Sequence, residues 1–262
     1  RPSSVDEAIG LLSDDAKLLA GGHSLLPAMK LRLSSPGALI DIGGLAELNY
    51  IKEDGGTIAI GAATTHHQIE SSEVVQSGAA ALAQAAAVIG DPQVRNKGTI
   101  GGSLAHADPA ADYPAAILAL GAEIQVKGPG GERSIAADEF FVDLFLTALA
   151  PDEIITEIRV STADKSAYAK FPHPASRFAV VGCAAASSGG SVKVAFTGVA
   201  NAAFRDSGIE EALGGDLSEG SIGSASEKAA DGAEVLTDNF AGEEYRRHLA
   251  KVYARKALSA IA

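Results

Sequence analysis

Apolar positions in the first part of the chain follow a helical spacing, then a strand-like run, then both again. Ser4 opens the first helical pattern as part of a capping box. Short apolar runs typical of strands occupy residues 17–20 and 38–42, and the spacing between them predicts a second helix over 24–33. The sequence therefore predicts a small α-β-α-β lobe over about residues 1–45.

The pattern changes after this lobe. Two β-rich runs flank residues 54–56, an Asp-Gly-Gly turn typical of a hairpin, and a helical pattern later runs over 72–89. Another helix is expected over 109–120, and a β-rich run at 154–160 closes the region. We expect a second, larger lobe over about residues 46–160.

The end of the chain has its own pattern. Residues 161–166 are small and polar without periodicity, which predicts a linker. Two strands rich in Val and Ala follow at 178–187 and 192–199, separated by a Ser-Gly-Gly turn, and the last helix is expected to begin near Gly242. These elements predict a smaller α/β domain over residues 167–262, with an antiparallel sheet and helices.

Composition narrows the functional classes. A chain of 262 residues with 47% hydrophobic residues is long enough for one or two globular domains. Its formal net charge of −12 disfavours binding to nucleic acids and anionic membranes. No apolar run approaches the roughly 20 residues that span a bilayer, and no basic segment followed by an apolar one opens the chain. We therefore expect a cytoplasmic location and no membrane span.

The cysteine and histidine content limits metal chemistry. Cys183 is the single cysteine, so this chain cannot form an internal disulfide, a Cys₄ zinc site or an iron–sulfur cluster. His66 and His67 are adjacent, but no second cluster of ligands stands at metal-binding spacing. We interpret the two histidines as a solvated pair and predict no metal site.

A first candidate binding segment lies between a predicted strand and a predicted helix. Such a junction presents unpaired amide N–H groups, and its glycines let a ligand approach the backbone, which suits a phosphate group. A tight turn capped by serine explains the same residues equally well. The segment consists of Ala20, Gly21, Gly22, His23, Ser24 and Leu25.

A second glycine pair lies beside small hydroxyl residues in the larger lobe. Asp112, a few residues further on, is suited to accept hydrogen bonds from sugar hydroxyls. Two such segments indicate a diphosphate ligand. The alternative is a loop over residues 98–102, with Asp108 as the N-cap of the next helix. The candidate binding residues here are Thr99, Gly101, Gly102 and Ser103.

Common nucleotide and hydrolase motifs are absent. The sequence has no G-x-x-x-x-G-K-[ST] phosphate loop and no G-x-G-x-x-G dinucleotide fingerprint after a strand. Residues 22–26 resemble the start of a G-x-S-x-G nucleophile elbow but lack its second glycine, which argues against a serine hydrolase.

Both glycine segments resemble those of a known flavoprotein family. Residues 20–25 match the first flavin motif, and residues 99–112 the second, of the FAD-binding medium subunit of molybdenum hydroxylases. This is the carbon monoxide dehydrogenase medium-subunit family, related to the flavin domain of xanthine dehydrogenase. The likeness extends to residues 1–8, 149–155 and 173–179.

The resemblance implies an α+β fold with FAD between two domains. Residues 1–160 would form a two-lobed FAD-binding domain of the vanillyl-alcohol-oxidase type, followed by the C-terminal flavoprotein domain. By resemblance, the two glycine segments bind the pyrophosphate, and Asp112 holds a sugar or ribityl hydroxyl.

Two further residues have alternative interpretations. By resemblance, Phe178 lies near the isoalloxazine ring, where many relatives are expected to have tyrosine; alternatively, it is only a core residue. His106 either neighbours the flavin or braces its loop, and we favour bracing.

The resemblance also implies partner subunits. A chain with one cysteine cannot house the iron–sulfur clusters of this family, so an iron–sulfur small subunit and a molybdenum-binding large subunit are expected, in a heterohexamer. The chain would be an FAD-binding electron-transfer subunit with no catalytic acid–base residue of its own. The alternatives are a stand-alone flavin oxidoreductase acting on a small molecule, and a flavin-free scaffold subunit.

Overall fold

The computed structural model describes residues 1–262. A two-stranded parallel sheet and its helices form the first part of the chain. The predicted α-β-α-β order is confirmed. Its elements are α1 (Val5–Gly10), β1 (Ala16–Leu19), α2 (Leu25–Lys30) and β2 (Ala38–Asp41).

Helix α2 is shorter than the sequence pattern predicts, because a left-handed turn closes it. Arg32 has a φ of 60°, and the N–H of Leu33 donates to the carbonyl of Ala28 at 2.8 Å. This bond is typical of a helix C-terminus that ends in a left-handed residue. Ser24 lies at the N-cap, but its side chain makes no capping hydrogen bond because its backbone is already helical.

The next part of the chain is built on a five-stranded antiparallel sheet with the strand order β3-β4-β9-β5-β6. The predicted hairpin turn at Gly55 and Gly56 is confirmed, and both glycines have positive φ. The elements are β3 (Ile51–Asp54), β4 (Thr57–Gly61), α3 (His66–Ser71), α4 (Glu73–Gly78), α5 (Ala80–Ala87), α6 (Pro92–Arg95), α7 (Ile100–His106), α8 (Tyr113–Ala119), β5 (Glu123–Gly128), β6 (Gly131–Ala136), α9 (Ala137–Phe140), β7 (Phe141–Asp143), β8 (Leu146–Thr147) and β9 (Ile154–Ser161).

The single helix predicted over residues 72–89 is wrong. The helix is broken at Ala79, whose φ of −144° and ψ of 54° are not helical, and this residue separates α4 from α5. At the break, the carbonyl of Gly78 accepts a hydrogen bond from the N–H of Ala163 at 2.9 Å. The N–H of Ala81 donates to the hydroxyl of Ser166 at 3.0 Å. Residues distant in sequence therefore satisfy backbone groups that a continuous helix would pair internally.

The loop alternative for residues 98–102 is wrong for residues 100–102, which form the first turn of helix α7; this helix ends at a left-handed Ala107 with a φ of 49°. The interpretation of Asp108 as a helix N-cap is wrong. Its carboxylate accepts a hydrogen bond from the N–H of Ala110 at 2.8 Å in a local turn, and α8 begins only at Tyr113.

The end of the chain forms a four-stranded antiparallel sheet with the order β10-β11-β12-β13. The predicted hairpin between the second and third of these strands is confirmed. The predicted linker is shorter than expected, because β9 ends at Ser161 and the next strand begins at Lys165. The elements are β10 (Lys165–Pro172), β11 (Ala179–Ser188), β12 (Ser191–Thr197), β13 (Phe204–Arg205), α10 (Ser207–Leu213), α11 (Glu219–Ser226) and α12 (Glu243–Ile261).

Strand β11 contributes to two hydrophobic cores because successive side chains point to opposite faces of a sheet. Ala184 and Ala186 belong to the core of the five-stranded sheet and its helices. Cys183 and Ala185 belong to the core formed with α10, α11 and α12. The four-stranded sheet is thus a layer shared by both parts of the fold, and the predicted α+β class is confirmed.

Helix α12 buries a charged residue beside an exposed aromatic one. Tyr245 is 43% exposed, whereas Arg246 is buried. The Arg246 guanidinium donates to the carbonyls of Val180 and Gly198 at 2.6 and 2.7 Å and forms an ion pair with Asp238. Arg246 therefore connects α12 to the four-stranded sheet, and its guanidinium supplies hydrogen-bond donors to the Val180 and Gly198 carbonyls.

Replacing Arg246 should destabilise the chain strongly. Arg246→Met leaves two carbonyls without their donor, and we expect the free energy of unfolding to fall by about 2–4 kcal/mol, measured by urea denaturation. Arg255→Met is the control, because Arg255 is half exposed and pairs only with Glu227 at 3.2 Å. We expect the control to change stability by less than about 1 kcal/mol. Similar losses in both variants would contradict this role.

Candidate functional site

The first candidate segment is a turn with free backbone donors. Gly22 adopts a φ of +74°, which favours glycine. The amides of residues 21–24 donate no hydrogen bond to any group of the protein. These residues are exposed or partly exposed, so the amides can be reached by a ligand. Consecutive free amides at the start of a helix are suited to bind an anion.

The two glycine segments are in direct contact. A Cβ atom on Gly21 would lie 2.2 Å from the carbonyl oxygen of Lys97 and 2.7 Å from the Cα of Gly98. Only glycine allows this approach. The structure therefore brings together the two segments that the sequence singled out separately.

The second segment does not offer a second set of free amides. In the first turn of α7, the N–H of Ile100 donates to Thr64, that of Gly101 to Ala62, and that of Ser103 to Thr99. The hydroxyl of Thr99 accepts from the N–H of Gly102 at 3.2 Å and caps the helix. A ligand here would meet the exposed surface of Gly102 and the partly exposed Ser103 instead.

Gly101 is required by packing. A Cβ atom at this position would lie 2.6 Å from the Cβ of Ala62 and 2.8 Å from its carbonyl oxygen. The missing side chain lets α7 lie directly against the residue that follows β4. A glycine is required at position 101, as the sequence pattern indicates. The group that approaches its backbone in this structure is Ala62, which is part of the protein and not a ligand.

Asp112 lies in a buried ion pair between the two halves of the fold. Its carboxylate accepts hydrogen bonds from Tyr168 at 2.6 Å and Lys170 at 3.0 Å, both on β10. Burial raises the pKa of the Asp112 carboxyl above its ordinary value, and the Lys170 ammonium opposes that shift. Its role toward a cofactor hydroxyl stays a prediction, since both oxygens are already engaged by protein donors.

Sequence reasoning missed Tyr168 and Lys170. Both lie on the same face of β10 as Ser166, at a spacing of two residues, with small or apolar residues between them. This alternation is the signal that could have found them. Lys170 also donates to the carbonyl of Val88 at 3.2 Å, and Gly182 leaves space for the Tyr168 hydroxyl.

Phe178 is not a core residue. It is 48% exposed and immediately precedes β11, and its carbonyl accepts from the N–H of His173 at 2.8 Å. The alternative interpretation of Phe178 as buried core is therefore wrong, whereas its position beside a flavin ring stays a prediction.

His106 ends α7 and is exposed to solvent. Its ring lies 5.1 Å from that of Phe145, in the hairpin formed by β7 and β8. This contact favours the bracing role over a direct role in binding.

The interpretation of the adjacent histidines as a solvated pair is wrong for one of them. His66 is only 5% exposed, and its Nδ1 lies 3.0 Å from the hydroxyl of Tyr113, whereas the side chain of His67 is 55% exposed. Burial lowers the pKa of His66 to about 4, and the charges of His23 and Arg95 add to the shift. His66 is therefore neutral at physiological pH.

These residues fit a bound dinucleotide such as FAD. Free amides at residues 21–24 supply donors for a pyrophosphate, and the contact of Gly21 with Lys97 and Gly98 places the second segment beside them. Each hydrogen bond to a charged group contributes roughly 1.5–3 kcal/mol. Several such bonds outweigh the distant charge of an acidic protein, which salt screens beyond about 8 Å.

Comparison with known proteins identifies the class. Residues 1–162 match the family described as the FAD binding domain in molybdopterin dehydrogenase, and residues 166–261 match the CO dehydrogenase flavoprotein C-terminal domain. The chain belongs to this flavoprotein family, and its cofactor is FAD. It is a medium, FAD-binding subunit of the kind found in multi-subunit molybdenum hydroxylases.

Individual relatives cover almost the whole chain. The carbon monoxide dehydrogenase medium chain of Hydrogenophaga pseudoflava is 41% identical, over 99% of this chain and 94% of the relative. The glyceraldehyde dehydrogenase medium chain of Sulfolobus acidocaldarius is 36% identical, over 100% and 97%. A solved structure of carbon monoxide dehydrogenase from Hydrogenophaga pseudoflava superposes with a TM-score of 0.93 at 42% identity, covering 99% of this chain and 95% of the other.

No helix of this fold is both long enough and apolar enough to cross a bilayer.

The packing role of Gly101 can be separated from ligand binding. Gly101→Ala should lower the free energy of unfolding of the FAD-free chain by about 1–3 kcal/mol, because the new methyl group overlaps Ala62. Gly223→Ala in α11 is the matched control, because a Cβ at this helical position would meet no atom within 4 Å. We expect it to change stability by less than about 1 kcal/mol in urea denaturation. Equal effects would refute the packing assignment.

Proposed function

We propose that this chain is the electron-transfer subunit of a molybdenum hydroxylase. It accepts electrons from an iron–sulfur small subunit and passes them to an external acceptor such as NAD or a quinone. A molybdenum-binding large subunit oxidises the substrate, and the three subunits form a heterohexamer. When bound, FAD would supply the redox chemistry, because a flavin can take up electrons from an iron–sulfur cluster and release them to such an acceptor.

The observation that carries this proposal is the junction of the two glycine segments. The free amides of residues 21–24 bind the pyrophosphate, together with Ala20 and Leu25 at the ends of the turn. Thr99 shapes the second segment as a helix cap, Gly101 allows it to pack, and the surfaces of Gly102 and Ser103 contact the cofactor.

Asp112 and Phe178 complete the proposed site. Asp112 accepts from a sugar or ribityl hydroxyl with the lone pairs that Tyr168 and Lys170 leave free, because a carboxylate has about four acceptor positions. Phe178 packs against the isoalloxazine ring with its exposed surface. The proposed domains are residues 1–160 and 167–262, and the cofactor lies between them.

The cysteine content supports a need for partners. Cys183 is buried and free, and burial raises the pKa of its thiol. An iron–sulfur cluster requires several thiolate ligands, so the electron donor has to be another chain. Medium chains of multi-subunit dehydrogenases are this chain's relatives. The cytoplasmic location expected from the sequence stays a prediction.

A binding experiment tests the cofactor site. The purified chain is titrated with FAD and followed by flavin fluorescence, and we expect one FAD per chain. Gly21→Ala should raise the FAD Kd at least about tenfold, equivalent to about 1.4 kcal/mol, because the methyl group pushes the two segments apart. Gly44→Ala is the matched control, since its Cβ would meet no atom within 4 Å. Unchanged affinity in Gly21→Ala would contradict the proposed site.

A second experiment distinguishes the electron-transfer subunit from its alternatives. The FAD-loaded chain and the complex isolated from its source are mixed anaerobically with carbon monoxide, aldehydes, purines and N-heterocycles. We expect one substrate to bleach the flavin absorption of the complex and none to bleach that of the isolated chain. Bleaching of the isolated chain would establish a stand-alone oxidoreductase. A complex that contains this chain but no flavin would establish a scaffold.

A further inference from the structure

His66 lies directly behind the contact between the two glycine segments. A Cβ atom on Gly98 would lie 2.4 Å from the Nε2 of His66, so the imidazole abuts the Cα of this glycine. The same Cα is within 2.7 Å of the position that a Cβ on Gly21 would take. Gly98 is therefore in contact with the imidazole and with the turn that carries the free amides.

The position of His66 is fixed from several directions. The backbone N–H of His66 donates to the carbonyl of Gly98 at 3.0 Å, and its ring Nδ1 is 3.0 Å from the hydroxyl of Tyr113 in α8. Thr65 and Gln68 form a capping box at the start of α3, and Thr65 pairs with Thr99 through an isolated β-bridge. A displacement of the imidazole would therefore also shift the backbone of residues 97–99.

The surroundings of His66 disfavour a charged imidazole. Its pKa is lowered to about 4, first by burial and then by His23, which lies in the first glycine segment, and by Arg95 in α6. Arg95 is itself paired with Glu70 of α3 at 2.8 Å. On the α8 side the partner is the Tyr113 hydroxyl, which burial keeps protonated by raising its pKa, and Asp112 precedes it.

We propose that His66 is a positioning residue of the flavin site. In its neutral form it supports the Lys97–Gly98 backbone at the close distance from Gly21 at which the free amides can bind the cofactor. Protonation of the imidazole favours a displaced ring and a separated pair of segments, so acid weakens FAD binding. This inference rests on the proposed function, since it assigns a support and a pH response to the same site.

The direction of the pH response follows from proton linkage. In the closed arrangement, with Gly21 against Lys97 and Gly98, the pKa of His66 is lowered. In a relaxed arrangement, with the two segments separated, the pKa of His66 returns to its ordinary value, so the closed arrangement binds fewer protons. Acid therefore favours the relaxed form. FAD affinity should fall as the pH drops from about 6.5 to about 4.

The test uses the full chain and three variants. His66→Gln keeps a polar side chain but does not titrate in this range, and His66→Leu keeps the volume but loses the hydrogen bond. His67→Gln is the matched control, because His67 is the adjacent and exposed histidine. The FAD Kd is measured by fluorescence between about pH 7.5 and about pH 5, and circular dichroism checks that each variant is folded.

We expect the Kd of the unsubstituted chain and of His67→Gln to rise at least about threefold over this interval. His66→Gln should bind FAD within about threefold of the unsubstituted chain at neutral pH, with the acid dependence lost. His66→Leu should raise the Kd at least about tenfold at every pH.

Three results would overturn the inference: an FAD Kd of the unsubstituted chain that does not rise in acid, an acid dependence that persists in His66→Gln, or normal affinity in a folded His66→Leu. If His66→Leu does not fold, the pH profile of His66→Gln decides alone. Absence of FAD binding to the unsubstituted chain at neutral pH would instead contradict the proposed function.

Discussion

Much of this structure depends on a close approach between two backbone segments, one at Gly21 and the other at Lys97 and Gly98. The space left for a side chain at Gly21 is too small for even a methyl group. This contact joins the first, parallel sheet to the region that precedes α7, and it brings free amides beside the second segment. The buried His66 and Tyr113 support the same contact from the interior. A constraint of packing and a requirement of the proposed FAD site therefore coincide at one glycine.

The second constraint is the ion pair that joins the two halves of the chain. Asp112 precedes α8, and its partners Tyr168 and Lys170 lie on β10. Removing charged groups from water is costly unless they are paired, and here the Asp112 carboxylate is paired with the Lys170 ammonium and also accepts a hydrogen bond from the Tyr168 hydroxyl. The four-stranded sheet also sends side chains into the core of the other half. The segment that follows α7 is thus held between both halves, which suits a cofactor bound at their boundary.

Family membership and site geometry support different parts of the functional account. The matches over residues 1–162 and 166–261 establish a flavoprotein subunit and its cofactor. They do not assign roles to individual residues, and the geometry divides the second glycine segment in an informative way. Gly101 serves packing against Ala62, whereas Gly102 is exposed to solvent. A glycine motif can thus combine positions required by the fold with positions available to the ligand.

The sequence by itself determined the features that depend on neighbouring residues. These include the α-β-α-β opening, the hairpins at Gly55 and Gly189, and the two glycine segments. Each rests on local backbone preferences and on periodicity, which a single sequence records. The tertiary structure alone decided the break at Ala79, the helix through a glycine-rich segment, the burial of His66 and the partners of Asp112. The reason is physical: each of these depends on a backbone or side-chain contact with residues far away in the chain, and no local pattern encodes such a contact.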